Sequence, residues 1–235
     1  TLSYIGTSDE STDRIVRIGN SGTNQGAPGS NGGAIISNDS PNNSSLQFTN
    51  AIFNDPEDTS TNRISARQLS LEGTSTAINT IDGVISDNFT TGPIIDETVS
   101  VNVDTSGTWQ LNGANTYTGN TTVSAGTLLI NGASAAASAV NVDGGSLGGA
   151  GTINGTVTIG VTSDSFHTAG STATATSGDA ATQTITSTLT YGNNATVSWD
   201  IISNSSGAIP AGQYDQFNLN SPFNQGDLAF GTDLG

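Results

Sequence analysis

Cysteine, methionine and lysine are all missing from this 235-residue chain, and basic charge of any kind is scarce. Without thiols there is neither a disulfide framework nor thiolate chemistry. The cationic side chains are Arg14, Arg17, Arg63 and Arg67, set against 20 Asp and Glu, for a formal net charge of −16. Beyond Arg67 only His167 can carry positive charge. Such a surface repels phosphate backbones and anionic lipid head groups, which excludes nucleic-acid binding and peripheral attachment to membranes. No apolar run approaches the roughly 20 residues of a spanning helix. No basic segment followed by an apolar one opens the chain as a signal peptide would. The chain starts in mid-pattern at Thr1-Leu2-Ser3-Tyr4-Ile5 and stops in mid-pattern at Leu234-Gly235, as a piece of a larger protein would.

Helical periodicity is lacking too: the best stretch, 132–139, is rich in Ala but gives a turn or two and no wide apolar stripe. Short runs of alternating character stand everywhere instead, at 15–18, 35–36, 46–53, 69–71, 99–103, 109–111, 121–123, 127–130, 140–142, 152–159, 182–191, 196–202 and 217–219. Each is bounded by Gly, Asn, Asp or Ser, the pattern of strands separated by turns. A disordered chain would lack these regularly spaced β-branched and aromatic residues. One turn phrase recurs, an apolar residue followed by Asn, Asp or Glu and then Gly: Leu71-Glu72-Gly73, Leu111-Asn112-Gly113, Ile130-Asn131-Gly132, Val142-Asp143-Gly144 and Ile153-Asn154-Gly155. Asn and Asp tolerate the left-handed region and Gly enters it freely. A two-residue Asn-Gly turn also suits a hairpin, so the phrase alone leaves parallel and antiparallel pairing open. Its close spacing from Leu111 to Ile153 favours successive turns of an array.

Residues 107–132 carry Gly107-Thr108-Trp109, Leu111, Gly113, Asn115-Thr116-Tyr117-Thr118-Gly119, Thr121-Thr122-Val123, Gly126-Thr127-Leu128 and Gly132. In these positions the segment resembles the autotransporter-associated β-strand repeat, also called the passenger-associated transport repeat, with Asn120 in place of the usual Gly. Weaker echoes follow at 147–159, at Trp199-Asp200 and at 214–219, and residues 79–87 resemble the usual lead-in. The resemblance implies an all-β fold, a right-handed parallel β-helix (β-solenoid), elongated. Its N-terminal coils would span 1–106, the repeat coils 107–160 and a β-rich continuation 161–235. It also implies a large secreted passenger placed outside a bacterial cell or on its surface. The barrel of strands and aromatic girdles that ends a classical autotransporter is not found in this stretch, and the repeat brings no catalytic residues with it.

No residue is therefore assigned a catalytic, cofactor-binding or metal-ligating role, and no cofactor is expected. His167 has no second His or any Cys to share a metal with, and reads as a loop histidine. No Gly-x-Ser-x-Gly elbow occurs. Carboxylates gather at Asp9, Glu10 and Asp13, at Asp55, Glu57 and Asp58, and at Asp96 and Glu97. Paired acids serve glycan hydrolysis and hard cations such as calcium, but neither an EF-hand spacing nor a basic cleft for a polyuronate accompanies these, and they read as solvated loop acids. Gly22, Gly26, Gly29, Gly32 and Gly33 lack the order and the lysine of a phosphate cradle. Asn-x-Ser/Thr triplets at Asn88, Asn120, Asn154 and Asn194 follow from composition alone.

The expectation is a non-enzymatic structural or adhesive segment of an exported surface protein. Its partners are neighbouring copies or the rest of a parent chain, met through terminal strand edges. A polysaccharide-processing β-helix enzyme is the alternative. A carbohydrate-binding adhesin would want a row of exposed aromatics, and Trp109 and Trp199 are far apart for that. Leu111, Val123, Leu128, Ile130, Val142 and Ile153 should point inward. Because no Lys or Arg follows Arg67, trypsin should leave residues 68–235 as one fragment even after denaturation, checked by mass spectrometry of the digest.

Overall fold

A computed structural model describes residues 1–18, 33–50, 52–54, 66–87, 98–170, 181–198, 216–219 and 224–225. Every described element is a strand, and every strand pairing is parallel. The strands come in triplets. The first holds β1 (Leu2–Tyr4), β2 (Glu10–Thr12) and β3 (Val16–Ile18), the next β4 (Gly33–Asn38), β5 (Leu46–Phe48) and β6 (Ile52–Asn54). Then come β7 (Arg67–Gly73), β8 (Ile78–Ile81) and β9 (Ile85–Ser86). In the repeat segment two long strands, β10 (Val99–Leu111) and β11 (Thr121–Ile130), each fill two positions of a triplet. Beyond them stand β12 (Val140–Val142), β13 (Ser146–Gly148) and β14 (Thr152–Ile153), then β15 (Val157–Ile159), β16 (Ser165–Thr168) and β17 (Thr182–Ile185). The final strands are β18 (Leu189–Tyr191), β19 (Ala195–Ser198), β20 (Gln216–Leu219) and β21 (Asn224–Gln225).

Each strand pairs with its counterpart in the neighbouring triplets, so residues stack in columns. One runs Leu2, Ile36, Leu71, Val103, Val123, Val142, Ile159, Tyr191. A second runs Leu69, Val101, Thr121, Val140, Val157, Leu189. On another face the column is Asn79, Trp109, Leu128, Leu147, His167, Val197. A further face carries Ile153 over Ile185 and Leu219. Side chains alternate across a strand, so Val-Asn-Val and Val-Thr-Ile each bury their outer two residues and turn the middle one outward. The outward column beside the first is polar: Asn102, Thr122, Asn141, Thr158, Thr190. Leu111, Val123, Leu128, Ile130, Val142 and Ile153 are all buried in one continuous core, as expected.

The strand boundaries differ from the sequence reading in both directions. Apolar alternation over 46–53 and 152–159 continues through a corner, so each run is two strands on different faces, divided at Thr49 and at Asn154-Gly155. Conversely the runs at 99–103 and 109–111 are one bent strand, with register shifts between Val103 and Thr108 taking up the bend. The glycines of the turn phrase divide as well. Gly73 and Gly144 have φ of 129° and need the freedom of Gly. Gly132 and Gly155 are there for space: a Cβ would lie 2.1 Å from the Gly113 carbonyl oxygen and 1.8 Å from that of Ser138.

Column partners are not evenly spaced in sequence. Val103, Val123, Val142 and Ile159 follow one another at 17 to 20 residues, whereas Leu2, Ile36, Leu71 and Val103 do so at 32 to 35. Trp109 is the largest fully buried side chain among the described residues, wedged in its column between Asn79 and Leu128. Trp109→Ala should cost about 3–5 kcal/mol, read as a lower denaturation midpoint in urea.

Candidate functional site

The corners between faces collect most of the polar side-chain chemistry. Along one of them Gln47 and Asn112 donate to the Asp82 carboxylate at 2.6 and 2.7 Å, Asn131 donates to Asn112 Oδ1 at 3.2 Å, and the Ala150 amide closes on Asn131 Oδ1 at 3.2 Å. Another holds Asp143, which accepts the amides of Thr162 and Ser163 at 2.8 and 2.7 Å and the Thr162 hydroxyl. Asp39 accepts the hydroxyls of Ser37 and Ser3 at 2.7 and 2.9 Å. These donors favour the charged form. Thr162 holds the Asp143 carboxyl below its usual range, and Ser37 with Ser3 does the same for Asp39. A depressed carboxyl stabilises the fold above its unfolded pKa, and this contribution is lost as the pH falls through the folded value.

Asp87 is buried and ties two triplets. It accepts the Val99 amide at 2.6 Å, and the amide and hydroxyl of Thr118 at 2.9 and 2.6 Å. Inside the repeat, the buried Tyr117 hydroxyl meets Thr121 Oγ1 at 2.7 Å, with Ser138 Oγ 3.4 Å beyond. Burial pushes the phenol pKa up. Two buried amides, Asn38 and Asn79, are joined at 2.5 Å, and Asn79 also accepts the Leu46 amide.

His167 is no loop histidine. It lies on β16 with its side chain wholly in the core, because the alternation of Ser165-Phe166-His167 turns Phe166 out and His167 in. Its Nδ1 is 2.6 Å from the Tyr191 hydroxyl and its Nε2 is 2.7 Å from Gln183 Oε1, while Gln183 Nε2 donates to the Gly148 carbonyl at 2.8 Å. A single His in a run of alternating residues was the available signal; its partners on two other strands were not visible in sequence.

Among the described residues the acids do not converge. Asp9 accepts the Ser45 amide at 2.7 Å, which lowers its pKa, and Glu10 lies on β2 facing outward. Asp55, Glu57, Asp58, Asp96 and Glu97 lie outside the described residues, as do Gly22, Gly26, Gly29, Gly32 and Trp199. Among the described residues no three of His, Asp and Glu are grouped to hold a metal, and no helix is long and apolar enough to cross a membrane. Trp109 is buried, so it offers no exposed ring to a sugar. A cleft of about 410 Å³ lies beside β4 and β7, lined by Gly33, Ala34, Ile35, Ala66, Arg67, Gln68, Ser70 and Ser100.

Residues 106–130 match the family described as the passenger-associated-transport-repeat. No match was found among curated proteins or among solved structures. The matched stretch is the end of β10, the Tyr117 corner and β11, so the repeat's Trp109, Tyr117 and Leu128 fill the core and its Gly113 and Gly119 let backbones approach. A repeat of autotransporter passengers implies an exported surface protein. Asp87→Asn would set an amide donor against the donors now bound to the carboxylate, and should cost about 1.5–3 kcal/mol by urea unfolding at pH 7.

Proposed function

We propose that the chain is a right-handed parallel β-helical segment of a large exported bacterial surface protein, and that its role is structural or adhesive. The observation that carries this is the set of apolar columns running through every described triplet, with polar side chains outside. Such an array is a spacer by construction: each triplet contacts only its neighbours, so length is added without a new core. We read 1–106, 107–160 and 161–235 as one uninterrupted array.

A structural role is also favoured by how the described carboxylates are used, for Asp39, Asp82, Asp87 and Asp143 all accept hydrogen bonds that close corners. An enzymatic glycan site would need two carboxyl groups facing one substrate bond. The cleft beside β4 has no Asp or Glu among its described lining residues and supplies no such pair. Incubation with neutral and acidic polysaccharides, esters and peptides should give no turnover; turnover abolished by changing one Asp or Glu to its amide overturns the structural role.

The first triplet supplies the assembly surface in this reading. β1, β2 and β3 each pair on one side only among the described strands, and Leu2 is 50% exposed where its column neighbour Ile36 is 1% exposed. Open edges are templates for another strand, supplied by a neighbouring copy head to tail or by the parent chain. Electron microscopy and sedimentation should show filaments lengthening with concentration; a strict monomer at high concentration removes the filament and leaves the covalent spacer.

A further inference from the structure

His167, Gln183 and Tyr191 come from β16, β17 and β18, which are successive strands on three different faces. Their side chains meet inside the core and end on the Gly148 carbonyl of the preceding triplet. The hydrogen-bond order is determined. Gln183 spends its amide hydrogens on Gly148 and Gly149, so Oε1 faces the ring and His167 Nε2 must carry the proton. Nδ1 then accepts from the Tyr191 hydroxyl. This order satisfies each group only while the imidazole is neutral.

We propose that this chain of three side chains is an acid-sensitive tie, which holds β16, β17 and β18 together while the ring is neutral and releases them when Nδ1 takes a proton. On protonation the Tyr191 hydroxyl faces a donor instead of an acceptor, and a charge stands in the core. The described elements packed around the ring bring neutral side chains to it. Its column neighbours are Leu147 on β13 and Val197 on β19; β17 brings the neutral Gln183 and Ile185, and β18 brings Tyr191, whose own ionisation burial pushes far up. Of the nearby acids, Asp164 is exposed and Asp143 is taken up by Thr162 and Ser163 at its corner.

Burial pushes the imidazole pKa down to about 4 from an ordinary 6.5, with the Gln183 carbonyl offsetting part of the effect. The unfolded ring binds its proton first as the pH falls. The tie's contribution is thus complete above about pH 6.5 and is lost progressively toward pH 4, about tenfold in the opening equilibrium per pH unit for one proton. The Asp39 and Asp143 carboxyls, held below the ordinary range by their hydroxyl and amide donors, stay charged above about pH 5, which separates that part of the window from their titration.

The only histidine in the chain gives one set of imidazole signals, so NMR of the whole chain reads it directly. The expected result is an Nε2–H tautomer at pH 7. Amide-exchange protection in β16, β17 and β18, corrected for intrinsic rates, should fall about tenfold per unit between pH 6 and 5, while β10 and β11 stay protected. Tyr191→Phe removes a donor that favours the neutral ring, so the folded imidazole should titrate at higher pH and the pH-dependent fall in protection should level off sooner; a merely structural loss would lower protection equally at all pH. His167→Gln should abolish the dependence. A ring that titrates near 6.5 with protection unchanged, or the same pH dependence in His167→Gln, overturns the proposal. Should His167→Gln fail to fold, the native chain and Tyr191→Phe still decide.

Discussion

Parallel backbone pairing in constant register is the constraint on which the rest of this molecule depends. Once Val103 is opposite Val123 and Val123 opposite Val142, each core position inherits its neighbours from the triplets on either side. A side chain is therefore judged by the column it joins more than by its own strand. Apolar residues join without difficulty. Polar ones join only with help: Thr121 enters a column of Leu and Val with Tyr117 and Ser138 beside it, and His167 follows Leu147 with Tyr191 and Gln183 beside it. In both cases the partners come from other strands or corners. Buried polar groups without partners are costly, so such substitutions into a column tend to come as sets.

The same constraint explains why the repeat has its particular residues. Trp109 and Leu128 fill facing positions, Tyr117 closes a corner inward, and Gly113 and Gly132 let one corner's backbone lie directly on the next. These are packing requirements that recur wherever two triplets of this size stack. They account for a motif recognisable over residues 106–130 without any reactive group in it.

Strand content and the inward set were legible because period-two alternation and β-branched residues are local properties. The parallel sense was not given by the turn phrase alone, since Asn-Gly corners serve hairpins and stacked coils alike; the close spacing of the phrase from Leu111 to Ile153 and the resemblance of residues 107–132 favoured it. Strand ends were misjudged at 46–53 and 152–159 because core residues continue around a corner and the alternation does not pause there. The surroundings of His167 were not legible at all, since Gln183 and Tyr191 are 16 and 24 residues away and meet it only through the stacking of faces. Likewise Asp87, which the sequence does not single out, gains its place in the core from Val99 and Thr118.

The uneven column spacing carries a consequence for material density. Adjacent strands in a sheet are about 4.8 Å apart however much chain lies between them. From Val103 to Ile159 each such step takes 17 to 20 residues, and from Leu2 to Val103 it takes 32 to 35. The segment holding the matched repeat thus gains reach with little more than half the polypeptide per ångström. The next step, from Ile159 to Tyr191, takes 32 residues again, so more chain is spent per step on either side of that segment.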